Sequence, residues 1–367
     1  MMSEIEWYKV KQEDGVVTPA LLVYPDRIKQ NIGKMIELSG DVDKLRPHVK
    51  THKSVDIIKL QLAHGITKFK CATLSEAELL ATSGAEDVLL AMQPVGPNVP
   101  RLFELIAKFP VCNFSTLVDN EKTAVEISRL AQQKGLTASL WLDINNGMDR
   151  TGISPGPETI CIYEFMANDP FLNVKGLHVY DGHIHHKDLE LRKNACNDDF
   201  NSVESLRSAI EKKQLPFPTV VAGGTPTFTI HKDRKDVQLS PGTPLLWDAG
   251  YAQAFPDLSF ELAAVVATRI VSQPSSDLLC LDLGYKSVAS EMELPRVKFL
   301  GGHDFEIVGH NEEHMVVRTH EAHAYEIGQL LYAVPIHICP TVVKYDEMLV
   351  IEKNELTATW PVGTRSH

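Results

Sequence analysis

The sequence predicts an α/β barrel of eight parallel strands, followed by a second domain that is mostly β-structure. Through the first two thirds of the chain, short apolar or β-branched runs alternate with longer segments of helical period, which is typical of a parallel sheet with crossover helices. In the last third, alternating segments separated by turns replace the helical period. We therefore expect a barrel over residues 17–247 and a β domain formed by 1–16 and 248–367.

Nine runs of the first two thirds are candidate strands, one more than an eight-stranded barrel holds. The excess disappears if the first run pairs outside the barrel, so that the first barrel strand is Leu45–Lys50. Lys50 then lies at the mouth formed by the carboxyl ends of the strands. The nine runs are Ala20–Tyr24, Leu45–Lys50, Phe69–Thr73, Asp87–Met92, Val111–Ser115, Thr137–Asp143, Val174–Tyr180, Thr219–Ala222 and Val237–Leu239.

Helix boundaries follow from proline and glycine. Pro25 starts the first helix, whose apolar residues recur at helical spacing until Gly40 ends it. Three further glycines are expected to end later helices in the same way: Gly65, Gly84 and Gly135. The β domain has four clear candidate strands: Leu262–Ser272, Leu278–Leu283, Met315–Thr319 and Met348–Ile351.

Composition narrows the classes of partner and location. The formal net charge of -12 argues against nucleic acid, because phosphate-backbone binding relies on many lysines and arginines. No run approaches the roughly 18 apolar residues of a membrane span, and the first residues lack the features of a signal peptide. The six cysteines form no CxxC pair, as expected for thiols in a reducing compartment. We expect a cytoplasmic protein that binds neither nucleic acid nor membranes.

The densest basic cluster is RPHVKTHK at residues 46–53. Strand alternation would place Arg46, His48 and Lys50 on one face, toward the barrel interior. Charged groups there are costly unless they pair or bind a ligand, and an amine among other cations in a partly dry site has the lowered pKa that a Schiff-base lysine needs. The alternative is a basic turn that leads into an exposed helix.

Two glycine-containing turns follow the last two predicted strands. One contains Gly224 and Thr225, and the other contains Gly242 and Thr243. The loops after the seventh and eighth strands of such barrels often bind phosphate through backbone N–H groups, because glycine lets the backbone approach the oxygens closely. The alternative is a pair of ordinary strand-to-helix turns.

The tripeptide His337-Ile338-Cys339 could hold a metal ion. On an extended segment, His337 and Cys339 would point the same way, and an imidazole with a thiolate favours zinc over magnesium or calcium. His314 could help to bind the ion or lie on the surface. A buried cysteine beside a hydrogen-bonded histidine is the alternative. On adjacent loops at the barrel mouth, Arg150 and Tyr180 could contact the oxygen and the ring face of a flat cofactor, although either could be structural.

The motifs RPHVKTHK, NNGMDRTG, GLHVYDGHIHH, AGGTPT, SPGT, NEEH and HICPT occur in this order along nearly the whole chain. In this the sequence resembles the D-threonine aldolase and D-serine dehydratase family of the alanine-racemase-like, fold-type III pyridoxal-phosphate enzymes. The resemblance implies a TIM-like barrel that carries pyridoxal 5'-phosphate, a β domain that closes the site, and a homodimer.

The resemblance also implies roles for particular residues. Lys50 would form the covalent link to the cofactor, with His48, Arg150 and Tyr180 near it. Gly224, Thr225, Gly242 and Thr243 would hold its phosphate, and His337 and Cys339 would bind a divalent metal. The sequence departs from the family at Gln238, where many relatives carry glutamate.

The resemblance implies a lyase that acts on D-amino acids with a 3-hydroxyl group. The His-x-Cys pair favours a D-serine or D-threo-3-hydroxyamino acid dehydratase, which yields a 2-oxo acid and ammonia. The alternative is a D-threonine aldolase, which yields glycine and an aldehyde. An amino-acid racemase and a non-catalytic pyridoxal-phosphate-binding protein are the remaining hypotheses.

Overall fold

The computed structural model describes residues 6–365. They divide into two compact units: one comprises residues 35–50 and 58–242, and the other comprises 6–34, 51–57 and 243–365. No helix in the described part of the chain is long and apolar enough to cross a membrane. The predicted domain boundaries, near residues 17 and 247, stay a prediction.

A 3-10 turn at Glu13–Gly15 is followed by strand β1 (Ala20–Val23) and helix α1 (Pro25–Ser39). Gly40 follows α1 with a φ of +74°, a left-handed conformation that suits glycine at a helix end. Seven strands and seven helices then form the α/β region. The strands are β2 (Lys68–Cys71), β3 (Asp87–Leu90), β4 (Asn113–Val118), β5 (Ala138–Ile144), β6 (Leu172–Val179), β7 (Thr219–Ala222) and β8 (Val237–Leu239). The helices are α2 (Val55–Ala63), α3 (Leu74–Thr82), α4 (Asn98–Lys108), α5 (Glu121–Lys134), α6 (Pro157–Asn168), α7 (Leu189–Lys212) and α8 (Phe228–His231).

The barrel ring is closed by a short segment rather than by an eighth strand. Strands β2 to β8 pair in sequential order, each parallel to the next. Leu45 then pairs with Leu239 of β8, and His48 pairs with Lys70 of β2, as isolated bridges. Pro47 lies between them and has no N–H to give to a ladder. The predicted barrel is therefore confirmed, whereas its predicted first strand, Leu45–Lys50, is reduced to two pairs.

The barrel interior contains an apolar cluster and, beside it, a buried arginine. Leu89, Leu117, Trp141 and Val221 form a core cluster. Arg46 is almost fully buried beside it, where Nη1 donates to Asp87 Oδ1 at 2.7 Å and Nε donates to Gln238 Oε1 at 2.7 Å. Gln238, at which the sequence departs from the family that it resembles, is thus a hydrogen-bond partner of this arginine.

The second unit contains a nine-stranded sheet that is mostly antiparallel. Strand β1 belongs to it, between β9 and β15, so the first run lies outside the barrel as predicted. The mostly β domain that we predicted is confirmed. Its further elements are β9 (Ala264–Ser275), β10 (Leu278–Leu281), β11 (Val297–Phe299), β12 (Glu306–His310), β13 (Met315–Arg318), β14 (Leu330–Pro335), β15 (Glu347–Glu352) and β16 (Glu355–Pro361), with helices α9 (Ala249–Ala254) and α10 (Ile338–Val342).

Candidate active site

Lys50 lies just after the segment that closes the ring. The chain turns into a short 3-10 helix at Val49–Thr51, and the Lys50 N–H donates to His48 Nδ1 at 3.2 Å. His48 is buried, whereas Lys50 is exposed. Because His48 pairs with Lys70 near the carboxyl end of β2, Lys50 lies at the mouth of the barrel, as expected. The predicted strand alternation does not continue as far as Lys50, because this turn interrupts it.

Tyr180 follows β6 and brings two cations together at this mouth. The Arg150 guanidinium carbon lies 5.0 Å from the centre of the Tyr180 ring, and Lys70 Nζ lies 5.6 Å from the same ring. Arg150 comes from the loop after β5 and is exposed. The structure therefore brings Arg150 and Tyr180 together, as their predicted shared role requires.

Sequence reasoning missed Lys70. Its side chain is buried, and within residues 6–365 no acceptor lies within hydrogen-bond distance of Nζ. Burial, and then the charge of Lys50, lower the pKa of Lys70 to about 7, and the carboxylates of Asp143 and Asp181 oppose this shift only in part. Its position inside the strand KFKC, two residues from another lysine, was the available signal, but this pattern also fits a half-exposed strand.

A buried histidine and aspartate form a second feature that the sequence reasoning missed. His178 Nδ1 donates to Asp143 Oδ1 at 2.7 Å, across neighbouring strands β5 and β6. Burial lowers the pKa of His178, and its hydrogen bond to Asp143 opposes this effect. The Nε2 atom of His178 is buried and has no partner in the described structure.

The two glycine-containing loops contact each other. The Gly242 N–H donates to Thr225 Oγ1 at 3.2 Å, and the Gly224 N–H donates to Thr227 Oγ1 at 3.1 Å. A Cβ atom at Gly224 would lie 3.2 Å from Tyr180 Cε2, so only glycine fits beside the Tyr180 ring without a shift. Gly224, Thr225, Gly242 and Tyr180 are thus brought together, which agrees with the predicted binding region.

His337 and Cys339 are close, but not for the reason that the sequence suggested. The segment is not extended: His337 is the residue before helix α10, and Cys339 lies in the first turn of that helix. The helix begins here because the buried Asp248 carboxylate accepts the Ile338 N–H at 3.0 Å. Thr341 Oγ1 also donates to the His337 carbonyl at 2.8 Å.

The surroundings of His337 and Cys339 are polar. His337 Nδ1 lies 2.5 Å from Glu291 Oε1, which leaves Nε2 for another partner. Burial lowers the pKa of His337, but Cys339 and then Glu291 outweigh this effect and raise it to about 9. Cys339 Sγ lies 3.1 Å from Thr51 Oγ1 and 3.9 Å from Thr243 Oγ1. His314, the other candidate, is exposed.

The residues present fit the two groups that the motifs imply. A basic, partly buried mouth with an unpaired ammonium at Lys70 and a tyrosine ring suits a flat anionic cofactor. An imidazole and a thiol whose side chains touch are a donor set for a thiophilic divalent ion. The Glu291 carboxylate is the kind of partner that orients a metal-binding histidine through its other ring nitrogen.

A profile of the alanine racemase N-terminal domain matches residues 23–246, which is more than half of the chain. The chain belongs to this family. A serine dehydratase domain profile matches residues 263–351.

The relatives of the chain include aldolases and dehydratases. A D-threonine aldolase from Arthrobacter sp. is 27% identical over 95% of this chain and 93% of its own length. A solved D-threonine aldolase from Filomicrobium marinum is 26% identical, with a TM-score of 0.84 over 97% of both chains. A D-threo-3-hydroxyaspartate dehydratase from Delftia sp. is 24% identical over 94% of this chain and 96% of its own length.

Two variants of a D-threo-3-hydroxyaspartate dehydratase have also been solved. One replaces a histidine with alanine, and the other, a metal-free form, replaces the cysteine two positions further on. Their TM-scores to this chain are 0.84 and 0.83, at 21% identity. The predictions of this enzyme family, of the fold class and of a lyase are confirmed by the comparisons.

Proposed function

We propose that the protein is a lyase that depends on pyridoxal 5'-phosphate and a divalent metal, and that it acts on D-amino acids with a 3-hydroxyl group. The observation that carries this proposal is the arrangement at the barrel mouth. Lys50 follows the segment that closes the ring, while the glycine loops and the Arg150–Tyr180 pair gather at the ends of other strands. A small-molecule substrate, a cytoplasmic location and a homodimer belong to the same proposal.

Each side chain has a task in this proposal. Lys50 would hold the cofactor, and its Nζ would take the proton from the substrate Cα. Arg150 and Tyr180 hold the flat ring, and Gly224, Thr225, Gly242 and Thr243 hold the phosphate, with His48 beside Lys50. Pyridoxal phosphate, when bound, supplies an electron sink that makes the Cα–H bond acidic.

His337 and Cys339 are proposed to hold the metal, with zinc as the first candidate. The metal, when bound, supplies a Lewis acid for the 3-hydroxyl group. The spacing of a histidine and a cysteine two positions apart matches the two positions replaced in the solved variants of a D-threo-3-hydroxyaspartate dehydratase. We therefore propose a dehydratase that releases a 2-oxo acid and ammonia.

A D-threonine aldolase is the second candidate. The observation that favours it is the identity with the Arthrobacter enzyme, which at 27% exceeds the 24% identity with the Delftia dehydratase. Incubation with D-threonine and a divalent metal distinguishes the two reactions. The dehydratase yields 2-oxobutanoate and ammonia, whereas glycine and acetaldehyde would identify the aldolase.

The cofactor assignment is tested by visible absorption and by mass spectrometry after borohydride reduction. The wild-type protein with pyridoxal phosphate should show a yellow visible absorption band and a modified Lys50 peptide. Lys50→Ala should lose both signals, whereas Lys68→Ala, on β2, should keep them. A band that survives in Lys50→Ala would contradict the proposal. A reaction rate unaffected by a chelator would remove His337 and Cys339 from the mechanism.

A further inference from the structure

A buried polar network lies behind the loop that follows β7. It consists of Asp181, Cys196, Thr227 and His231, and we call it the Asp181 network. Thr227 Oγ1 donates to Asp181 Oδ1 at 2.8 Å, His231 Nε2 lies 2.9 Å from Asp181 Oδ2, and Cys196 Sγ lies 3.2 Å from His231 Nε2. Each side chain is at most 3% exposed. None of the four has a task in the reaction proposed above.

The network consists of hydrogen bonds, although three of its members could ligate a metal. His231 Nδ1 is buried and has no partner in the described residues. With a proton on Nε2 the ring donates to Asp181, and Nδ1 need not carry a hydrogen that would require an acceptor. A metal on Nε2 would move the proton to Nδ1 and bury an N–H without an acceptor, whereas metal-binding histidines almost always donate that N–H.

The network is joined directly to the glycine loop. The hydroxyl of Thr227, which donates to Asp181, accepts the Gly224 N–H at 3.1 Å. Gly223 has a φ of +77°, and a Cβ atom there would lie 3.1 Å from His231 Cδ2 and 3.2 Å from Thr227 Oγ1. The loop is therefore folded closely against Thr227 and His231, and glycine is required for this approach.

The position of Asp181 also connects the loop to Tyr180. Asp181 is the residue after Tyr180, and the Tyr180 ring would touch any side chain at position 224. Both carboxylate oxygens of Asp181 are engaged, one by Thr227 and the other by His231. Its hydrogen bonds are thus used within the network, where they can hold the loop in place, while its charge also opposes the lowering of the pKa of Lys70.

We infer that Asp181 is a positioning residue for the phosphate monoester of the cofactor: through Thr227 it fixes the loop that presents Gly224 and Thr225 to the phosphate oxygens. This inference rests on the proposed function. A network that only held the fold together would affect every ligand of the barrel mouth alike. If the network positions the loop, its loss should weaken the binding of ligands that carry a phosphate group and leave the binding of those that lack one unchanged.

The test compares pyridoxal phosphate with pyridoxal, which has the same ring and aldehyde but no phosphate. Dissociation constants are measured by absorption for the full-length wild type, Thr227→Val and Asp181→Asn. Each variant should bind pyridoxal phosphate about 10-fold more weakly, the loss expected when one hydrogen bond to a charged group is removed, and should bind pyridoxal within about twofold of wild type.

Two further variants act as controls. Thr159 lies on α6, and its equally buried hydroxyl donates to Ser154 O at 2.6 Å. Thr159→Val removes this hydroxyl and should leave both dissociation constants unchanged. Thr227→Ser keeps the hydroxyl and should restore the wild-type ratio of the two constants. This conservative variant still tests the inference if Thr227→Val does not fold, because a changed ratio in Thr227→Ser would refute it.

The outcomes separate the inference from the proposed function. Equal losses for both ligands, or no loss for either in the folded Thr227→Val and Asp181→Asn variants, would overturn the inference alone. A wild-type protein that binds neither ligand would overturn the proposed function and the inference with it. Zinc bound in proportion to protein in His337→Ala and lost in His231→Ala would also overturn the inference, since the cluster would then be a metal site.

Discussion

Replacing Lys70 with methionine tests the barrel interior most directly. Lys70 is buried without a hydrogen-bond acceptor in the described structure, and burial together with Lys50 lowers its pKa from 10.5 to about 7. Because a tenfold change in an equilibrium is about 1.4 kcal/mol, the buried lysine costs up to about 5 kcal/mol of stability at pH 7. Methionine has a similar length and no charge, so Lys70→Met should be more stable than wild type at neutral pH.

The sign of the pH dependence follows from the two pKa values. Between about pH 7 and 10.5 the unfolded chain holds a proton on Lys70 that the folded protein has released. Stability therefore rises with pH across this window, and the cost is fully present below the folded pKa. From pH 7.5 to 9.5 the wild type should gain about 2 to 3 kcal/mol relative to Lys70→Met.

The assay is urea unfolding of the cofactor-free protein at several pH values between 7 and 10, followed by circular dichroism. Lys68→Met is the matched control, because Lys68 is a lysine of the same strand that donates to the Asp43 carbonyl near the surface. If the stability difference between wild type and Lys70→Met is the same at pH 7.5 and 9.5, the reasoning from burial is refuted.

Three further substitutions test other contacts. Arg46→Leu should lower the free energy of unfolding by about 3 kcal/mol, because it leaves Asp87 and Gln238 without their buried partner; a loss below 1 kcal/mol in urea melts would contradict this. Glu291→Gln should weaken metal binding about 10-fold in competition with a chromogenic chelator, and unchanged affinity would show that Glu291 does not orient His337. Gly182→Ala should displace Tyr180, since the new Cβ would lie 2.3 Å from Tyr180 Cε1; an unaltered near-ultraviolet circular dichroism spectrum would refute the clash.

The order of strands could be predicted from the sequence because apolar periodicity and glycine positions are local signals. Thr219–Ala222 and Val237–Leu239 have the predicted bounds, and α1 begins at Pro25 and is followed by Gly40, as predicted. The predicted strand Leu45–Lys50 failed because Pro47 prevents a continuous ladder and Lys50 already lies in a 3-10 turn.

The remaining site could not be predicted because its causes are distant in sequence. A helix replaces the extended segment expected at His337. It begins there because the Ile338 N–H donates to the carboxylate of Asp248, which lies 90 positions away in the sequence. Lys70 lies in no motif, and the motif GLHVYDGHIHH, which contains His178, does not reveal its partner; the burial of both residues is decided by the closure of the ring around them. The direct contacts of Lys50, Arg150 and the glycine loops with a cofactor stay predictions.

The closure of the ring at Leu45 and His48 predicts where the barrel opens locally in the folded protein. Strands β5 and β6 are joined by seven residue pairs, whereas the closing segment holds each neighbour through one. The smallest opening of the barrel should therefore occur at this seam, and amide protons there should exchange with solvent before those of β5. Lys50 lies at the end of this closing segment, so a ligand bonded to its amine should make the opening of the barrel there less frequent.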